Sequence, residues 1–165
     1  MEFLPAVPDD LEAVMEVFKK GVENLIKIGI DQWDDVYPNE RIISKDIKYG
    51  NLYKVVLNGK PMGAVVINTM EDPEYWDIPW QYENPCVLHR LCVHPEALGL
   101  GIGRFAVSMA EKEAGKRGFS SMRLDTFSKN PFSNGVYRGL GYEYRGDVTF
   151  RKGSFHCYEK KLSAE

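Results

Sequence analysis

This 165-residue sequence lacks long apolar runs, clusters of basic residues and paired cysteines. No stretch of about 18 apolar residues occurs, and residues 1–10 mix acids and prolines where a signal peptide needs basic residues before an apolar run. A formal net charge of −3 leaves no overall positive field for nucleic acid or anionic lipid. The three cysteines form no C-x-x-C pair, which argues against a disulfide framework or a zinc site. We therefore expect a cytoplasmic protein without metal, membrane or nucleic-acid partners.

The sequence does contain enough apolar and aromatic residues for one folded domain. Hydrophobic residues make up 44% of the chain and aromatic residues 12%, and its length lies within the usual range of a single domain. We expect residues 1–165 to form one domain with its own core.

Two amphipathic helices are predicted early in the chain. The pair Asp9-Asp10 offers an N-cap, and apolar residues then recur at the three-and-four spacing of one helical face. A shorter helix follows Asn39 as its cap and stops at Gly50. Residues 30–38, between the two helices, are predicted to form a loop.

A hairpin and a long loop are predicted next. Residues 52–57 and 61–69 are β-branched and aliphatic, and Asn58-Gly59 between them is the residue pair that tight hairpin turns favour. Residues 70–85 then break every periodicity, with three prolines among acids and aromatics. This composition predicts a long surface loop, a kind of segment that often carries function.

The second half of the chain alternates strands and helices. Residues 86–93 are apolar on both alternating faces apart from His89 and Arg90, which is typical of a central strand covered on both sides. The later elements are predicted to be a helix over 104–117, a strand over 121–127, a helix over 131–140, and a hairpin over 142–150 and 155–162 that turns at Lys152-Gly153.

The most specific feature is a glycine loop between this strand and the following helix. Gly99, Gly101 and Gly103 alternate in the segment His94–Gly103 and free the backbone to curl. Successive N–H groups and the helix N-terminus can then face one anion, so a phosphate or pyrophosphate is the expected ligand. A merely flexible loop is the alternative interpretation of an isolated glycine triplet.

The residues that this loop lacks argue against two kinds of phosphate ligand. A nucleoside-triphosphate loop needs Gly-Lys followed by Ser or Thr, but Gly103 is followed by Arg104 and Phe105. A dinucleotide-binding loop needs G-x-G-x-x-G directly after its strand, whereas Arg104 stands at the last position of that frame and several residues separate Val93 from the glycines. Asp125 lies downstream at a distance that suits the dinucleotide alternative, which therefore stays open.

The loop and the residues after it resemble the GCN5-related N-acetyltransferase (GNAT) family. The family's central motif is Gln or Arg, two residues, Gly, one residue, then Gly or Ala, and Gly101 and Gly103 match its last two positions. Family members often follow it with Asn, Ala, Tyr, Gly and an aromatic residue at fixed spacing. The residues that keep this register, with Ser in place of Ala, are Asn130, Ser133, Tyr137, Gly141 and Tyr142.

The resemblance covers residues 86–162 by motif, including the strand and turn at 89–96, and residues 1–85 by the order of elements alone. It implies a mixed α/β (α+β) domain, with a mostly antiparallel central sheet of about seven strands, helices on both faces and two splayed central strands. It also implies an enzyme that takes acetyl-CoA as acyl donor and transfers the acetyl group to a primary amine in a direct ternary complex. The residues implied to hold acetyl-CoA are Leu91, Val93, Leu98, Gly99, Leu100, Gly101, Ile102, Gly103, Arg104, Asn130, Ser133 and Tyr137.

Acetyl transfer needs particular catalytic groups. An alkyl amine has a pKa of about 10.4, so a base or a desolvating pocket must remove its proton, and the departing thiolate needs a proton in turn. Tyr137 occupies the family's tyrosine position and is the predicted general acid. His89 is the predicted base, with a hydrogen-bonded core histidine as the alternative. Glu83, Asp77 and Asp125 are the other candidates for the base.

The two predicted loops combine aromatic and acidic residues that suit a cationic amine. Residues 30–38 and 70–85 hold all three tryptophans and many of the acids of the chain. The alternative is that the aromatic residues cap the core while the acids solvate the loops. The residues expected to contact the acceptor are Trp33, Trp80, Tyr82 and Glu83.

One departure from the family keeps other functions open. Leu98 stands at the Gln or Arg position and Leu100 at a position that is often basic, so a pyrophosphate would depend on backbone N–H groups and on Arg104. A CoA-binding sensor without catalysis is therefore an alternative, beside a dinucleotide-dependent enzyme. Cys92, the one candidate for a covalent intermediate, is expected to pack as a small apolar residue. The sequence leaves open the acceptor amine and the choice between monomer and homodimer.

Overall fold

The computed structural model describes residues 1–163, which contain four α-helices and seven β-strands. Their bounds in chain order are β1 (Glu2–Pro5), α1 (Leu11–Lys27), α2 (Glu40–Lys48), β2 (Leu52–Leu57), β3 (Lys60–Asn68), β4 (Pro85–Val93), α3 (Ile102–Lys116), β5 (Ser121–Phe127), α4 (Pro131–Gly139), β6 (Glu143–Phe150) and β7 (Gly153–Lys161). Short 3-10 turns occupy Pro8–Asp10, Pro73–Asp77 and Pro95–Ala97. No helix in this part of the chain is long and apolar enough to cross a bilayer.

The seven strands form one sheet in the order β1-β2-β3-β4-β5-β7-β6. The pairs β1–β2, β2–β3, β5–β7 and β6–β7 are antiparallel, and β4–β5 is parallel. The parallel ladder joins Pro85–Val87 to Ser121–Arg123, whereas β4 continues to Val93 and β5 to Phe127. The predicted fold class, a mixed α/β fold with a mostly antiparallel seven-stranded sheet, is confirmed.

Contacts divide the chain into two compact units. The first comprises Met1–Val66 and Arg90–Met109, and the second comprises Ile67–His89 and the chain from Ala110 onward. The division passes through β3, β4 and α3, so each unit holds part of these elements. The expectation of a single domain over the whole chain stays a prediction.

The first unit has a core to which α1, α2 and strands β2 to β4 contribute. The apolar face of α1 buries Val14, Val17 and Phe18, as its helical spacing predicts. The predicted cap of α2 is confirmed, because the Asn39 side chain accepts a hydrogen bond from the Ile42 N–H at 3.0 Å. The remaining buried members of this core are Ala6, Trp33, Ile43, Ile47, Leu52, Ala64, Val66 and Cys92.

The second unit has a smaller core that draws on the segment between β3 and β4. Tyr75 is 1% exposed, its ring lies 5.3 Å from that of Trp80, and both pack with Val87, Val148 and Cys157. The prediction that this whole segment lies on the surface is therefore wrong at Tyr75. A single buried aromatic residue produces no periodicity, so the sequence pattern does not distinguish it from its exposed neighbours.

The sequence pattern does not predict the edge strand β1. It is four residues long, mostly exposed, and pairs with β2 from Glu2↔Val56 to Pro5↔Tyr53. Proline is tolerated in such a position because an edge strand can leave one side of its backbone unpaired. A short sequence that contains an acidic residue and a proline therefore resembles an irregular chain terminus when it is considered without its partner strand β2.

The predicted hairpin between β2 and β3 is confirmed. Asn58 and Gly59 both adopt positive φ, at 52° and 78°, which is the backbone form that a two-residue hairpin turn requires. Further along β3, Gly63 allows the first residue of α3 to approach the strand. A Cβ at Gly63 would lie 2.7 Å from the Ile102 side chain and 3.5 Å from the Cys92 carbonyl oxygen.

We expect Gly63→Ala to lower the free energy of unfolding by about 1–3 kcal/mol, because the added methyl group overpacks the contact with Ile102. Gly135→Ala in α4 is the matched control, since a Cβ at Gly135 meets no atom within 4 Å. The control should be neutral or more stable by up to about 1 kcal/mol. Urea unfolding of both variants tests this, and equal stabilities would contradict the close approach at Gly63.

Candidate functional site

The glycine loop lies between β4 and α3 and has the backbone form that its sequence predicts. Gly99 and Gly101 have φ of 81° and 80°, and a Cβ at either position would meet no atom within 4 Å. Ile102, which begins α3, is 1% exposed and anchors the end of the loop in the first unit. Because Ile102 fixes the end of the loop, the N–H groups of the loop can point toward an anion.

The side chains around the loop offer little positive charge. Leu98 and Leu100 are 55% and 54% exposed. Arg104, in the first turn of α3, is exposed and makes no ion pair with an acidic residue among residues 1–163. An anion at this loop would meet backbone dipoles first and a single nearby guanidinium second.

Strand β4 carries an unusual backbone at Arg90. Its φ is 50°, in the left-handed region that a non-glycine residue rarely adopts, and Leu91 and Val93 follow it partly buried. The sequence alone predicts no role for Arg90. The available signal was a charged residue inside an otherwise apolar strand, which implies a buried partner.

His89, the predicted base, is committed to a hydrogen bond within the second unit. Its Nε2 lies 2.8 Å from Asn68 Oδ1, and the same oxygen accepts the Met70 N–H at 2.9 Å. Because that oxygen acts as acceptor, Nε2 is the protonated donor. The hydrogen bond at Nε2 fits the alternative of a hydrogen-bonded structural histidine, and a substrate proton could be accepted only at Nδ1.

Tyr137, the predicted acid, lies on α4 and is 4% exposed. Its ring packs edge-on against Tyr142 at 5.7 Å and tilted against Tyr158 at 6.4 Å. Burial raises the pKa of its phenol well above the usual value, and the charge of Asp125 adds to the increase. The phenol therefore stays protonated throughout the physiological range, as a general acid must.

Asp125 on β5 has the most useful titration behaviour in the second unit. Burial raises its pKa from 3.8 to about 6, against the effect of a 2.6 Å hydrogen bond that the Tyr75 hydroxyl donates to Oδ2. The charge of Asp125 also contributes to the raised pKa of Tyr137. A carboxylate that is ionised at neutral pH but can take a proton is suited to general-base catalysis.

Asn130 and Ser133 have structural partners at the start of α4. The Asn130 side chain caps the helix by accepting the N–H groups of Phe132 and Ser133, each at 3.1 Å. The Ser133 hydroxyl lies 2.6 Å from the Thr126 hydroxyl. Both residues hold the helix that presents Tyr137, which is a sufficient reason for their presence in the sequence.

The predicted acceptor residues fall in different environments. Trp33 is 8% exposed and packs in the first unit's core, with its ring 6.1 Å from Phe18, so it has little surface to offer a ligand. Trp80 is partly buried in the second unit, where its indole N–H donates to the Tyr75 carbonyl oxygen at 2.9 Å and Arg123 lies over its ring.

Tyr82 and Glu83 are held at the end of the same segment. The Tyr82 hydroxyl donates to Glu143 at 2.8 Å, and the Arg145 guanidinium lies 5.6 Å from its ring centroid. The Glu83 carbonyl oxygen accepts the hydroxyl groups of Ser120 and Ser121, while its side chain is exposed. The exposed Glu83 carboxylate is therefore one of the negative charges that residues 70–85 present to solvent, beside those of Glu74 and Asp77.

The cysteines lack the properties of nucleophiles. All three are unpaired and buried, and burial raises their pKa values, to about 11 at Cys86 and about 12 at Cys92. A thiol with such a pKa is almost entirely protonated at neutral pH and reacts slowly. In residues 1–163 no three His, Cys, Asp or Glu side chains are grouped as metal ligands would be.

Comparisons with known proteins agree with this description. A family model described as the acetyltransferase (GNAT) family matches residues 22–142. A search of curated protein sequences gives no significant match. Among solved structures, a GNAT-family acetyltransferase from Streptococcus agalactiae has a TM-score of 0.87 at 23% identity, covering 99% of this chain and 96% of that one.

Two further structural matches were determined with a bound ligand. PaiA N-acetyltransferase from Thermoplasma acidophilum, in complex with coenzyme A, has a TM-score of 0.75 at 18% identity and 98% coverage of both chains. A phosphinothricin acetyltransferase from Sinorhizobium meliloti, in complex with acetyl-CoA, has a TM-score of 0.74 at 20% identity, covering 98% of this chain and 88% of that one. At these identities the structural matches show the fold. Because the family model covers well over half of the sequence, this chain belongs to the GNAT acetyltransferase family.

Proposed function

We propose that this protein is an N-acetyltransferase that moves an acetyl group from acetyl-CoA to a primary amine in a direct ternary complex. The observation that carries the proposal is the glycine loop, with positive φ at Gly99 and Gly101, in a chain that the acetyltransferase (GNAT) family model matches over residues 22–142. A carboxylate that is ionised near neutral pH, such as Asp125, and a phenol that stays protonated, such as Tyr137, are the two kinds of group that amine acylation needs. The acceptor is a small-molecule or peptide amine, and the enzyme works in the cytoplasm as a monomer or homodimer.

The choice of acetyl-CoA as donor rests on the glycine loop and on family membership. The backbone N–H groups of residues 98–103 and the charge of Arg104 are proposed to hold the pyrophosphate, and Leu91 and Val93 to bond the pantetheine arm through their backbones. Two similar structures are complexes with coenzyme A or acetyl-CoA, which supports this assignment. In the second unit, the proposed contacts are Asn130, Ser133 and Tyr137.

We propose one proton transfer to Asp125 and one from Tyr137. The carboxylate of Asp125 takes a proton from the acceptor amine as its nitrogen forms the bond to the acetyl carbon. The carbon–sulfur bond breaks, and the Tyr137 phenol gives its proton to the departing thiolate. We propose Asp125 rather than His89 as the base, because its pKa of about 6 leaves it ionised at neutral pH, whereas Nε2 of His89 is a donor and could not take the proton. Trp80, Tyr82 and Glu83 are the proposed acceptor contacts in this unit.

We expect Asp125→Asn to lower kcat by about 10²–10⁴-fold and to abolish the acidic limb of the pH profile of kcat/KM. In the wild type that limb should rise through about pH 6, because Asp125 must be ionised to act. Tyr137→Phe should lower kcat while the limb remains. His89→Gln is the discriminating variant: loss of the limb there, and not in Asp125→Asn, would make His89 the base.

We expect the same Asp125→Asn variant to be more stable than the wild type above about pH 6. The folded-state pKa of Asp125 is raised, so its ionisation lowers stability as pH rises from about 4 to about 6. Near pH 4 and below, where the carboxyl is protonated in both states, the two proteins should have similar stability. Thermal unfolding across this pH range tests the prediction, and an equally large destabilisation at every pH would contradict it.

We expect acetyl-CoA and CoA to raise the melting temperature, because a ligand that binds only the folded state stabilises it by mass action. Arg104→Gln should weaken this binding about two- to five-fold, as expected for one exposed ion contact. Arg41→Gln, an exposed arginine on α2, is the matched control and should bind like the wild type.

The same titration, extended to NADH and ATP, separates the alternatives. No shift with acetyl-CoA or CoA, against a clear shift with NADH, would overturn the proposal in favour of a dinucleotide-dependent enzyme. A shift with CoA but no thiol release with any amine of a broad panel would favour a CoA-binding sensor.

A further inference from the structure

The Arg90 side chain makes three hydrogen bonds to the side chains of Asp46 and Tyr37. Its Nε donates to Asp46 Oδ2 and its NH2 group to Asp46 Oδ1, each at 2.8 Å, and its NH1 group donates to the Tyr37 hydroxyl at 2.9 Å. The Arg90 and Asp46 side chains are 12% and 9% exposed. This cluster, the Arg90 clamp, is a bidentate, nearly dry ion pair, which is the most directional form that such a pair takes.

The Arg90 clamp ties β4 to two separate parts of the first unit. Asp46 lies on α2, and Tyr37 lies in the connection that precedes α2 and packs against the core cluster of that unit. Three directional bonds therefore restrain one guanidinium from two anchors. Removing Asp46 would leave the Arg90 guanidinium as a buried charge without its counter-ion. Removing the Tyr37 hydroxyl would let the guanidinium rotate more freely.

The backbone of Arg90 needs such a restraint. A non-glycine residue in the left-handed region is disfavoured by about 1–2 kcal/mol, and such strain persists only where the surroundings over-determine it. A left-handed residue inside a strand also re-aims the peptide groups that follow it, as bulges beside functional sites do. The residue that follows is Leu91, whose backbone is a proposed contact of the pantetheine arm.

We propose that Arg90 is a positioning residue: its side chain, held by Asp46 and Tyr37, maintains the left-handed turn in β4 that aims the Leu91 backbone at the pantetheine arm of acetyl-CoA. This inference rests on the proposed function. It assigns a role in donor binding to α2 and its preceding connection, although neither element needs to touch the donor.

The test uses substitutions that separate the side chain from the backbone. Arg90→Ala removes the clamp and leaves a residue that disfavours positive φ, whereas Arg90→Gly removes the clamp and leaves a residue that accepts it freely. CoA affinity, measured by calorimetry, should fall about ten-fold in Arg90→Ala, equivalent to ~1.4 kcal/mol. Arg90→Gly should retain more affinity than Arg90→Ala, and Tyr37→Phe should lose less than either.

A purely structural pair in the same unit provides the control. Lys54 and Asp10 form a 2.7 Å ion pair with both side chains 17% exposed. Lys54→Gln should lower the melting temperature. Its CoA affinity should stay within about two-fold of the wild-type value, a difference no larger than ordinary measurement scatter. A loss of affinity in Lys54→Gln as large as in Arg90→Ala would show that general destabilisation explains both.

The outcomes separate this inference from the proposed function. If the wild type does not bind CoA, the proposed function is overturned and the inference with it. If the wild type binds CoA and Arg90→Ala binds equally well, only the positioning role is overturned. Equal losses in Arg90→Ala and Arg90→Gly would also overturn it, because the backbone conformation would then carry none of the effect.

Discussion

The site depends on the limited pairing between β4 and β5. Their parallel ladder spans Pro85–Val87 and Ser121–Arg123, while both strands continue beyond it. Main-chain N–H and C=O groups need partners, and a strand that leaves its neighbour presents them for hydrogen bonds with another extended chain. An amide-containing arm such as pantetheine can pair with such an edge without any particular side chain.

Burial has the same effect on Asp46 and Asp125, but the two carboxyl groups have different partners. It raises the pKa of both Asp46 and Asp125. At Asp46 the Arg90 guanidinium opposes the effect with two charge-assisted bonds, so the group serves as a fixed anchor. Asp125 has the neutral phenol of Tyr75 instead, and its pKa reaches about 6. The charge of the partner thus separates a structural carboxylate from one that can exchange protons.

Local signals made much of the fold predictable. The Asn58-Gly59 turn, the Asn39 cap and the alternating glycines each act through the residue's own backbone preference, so the sequence alone identifies them. The edge strand β1 and the burial of Tyr75 depend on distant partners and leave no local pattern. The same limit applies to the site: Tyr137 is identifiable by its register, whereas the pKa of Asp125 arises from burial and from a hydroxyl fifty positions away.

The apolar loop residues change how an anion would be recognised. With Leu98 and Leu100 exposed where cations could stand, most of the attraction must come from backbone N–H groups, whose dipoles are fixed by the turns at Gly99 and Gly101. Flexible cationic side chains can adapt to many anions, and salt screens their attraction. A loop of fixed backbone N–H groups binds only an anion of matching shape. Recognition by this loop is therefore mainly geometric, and any residue with a Cβ at Gly99 or Gly101 would strain the turns on which it depends.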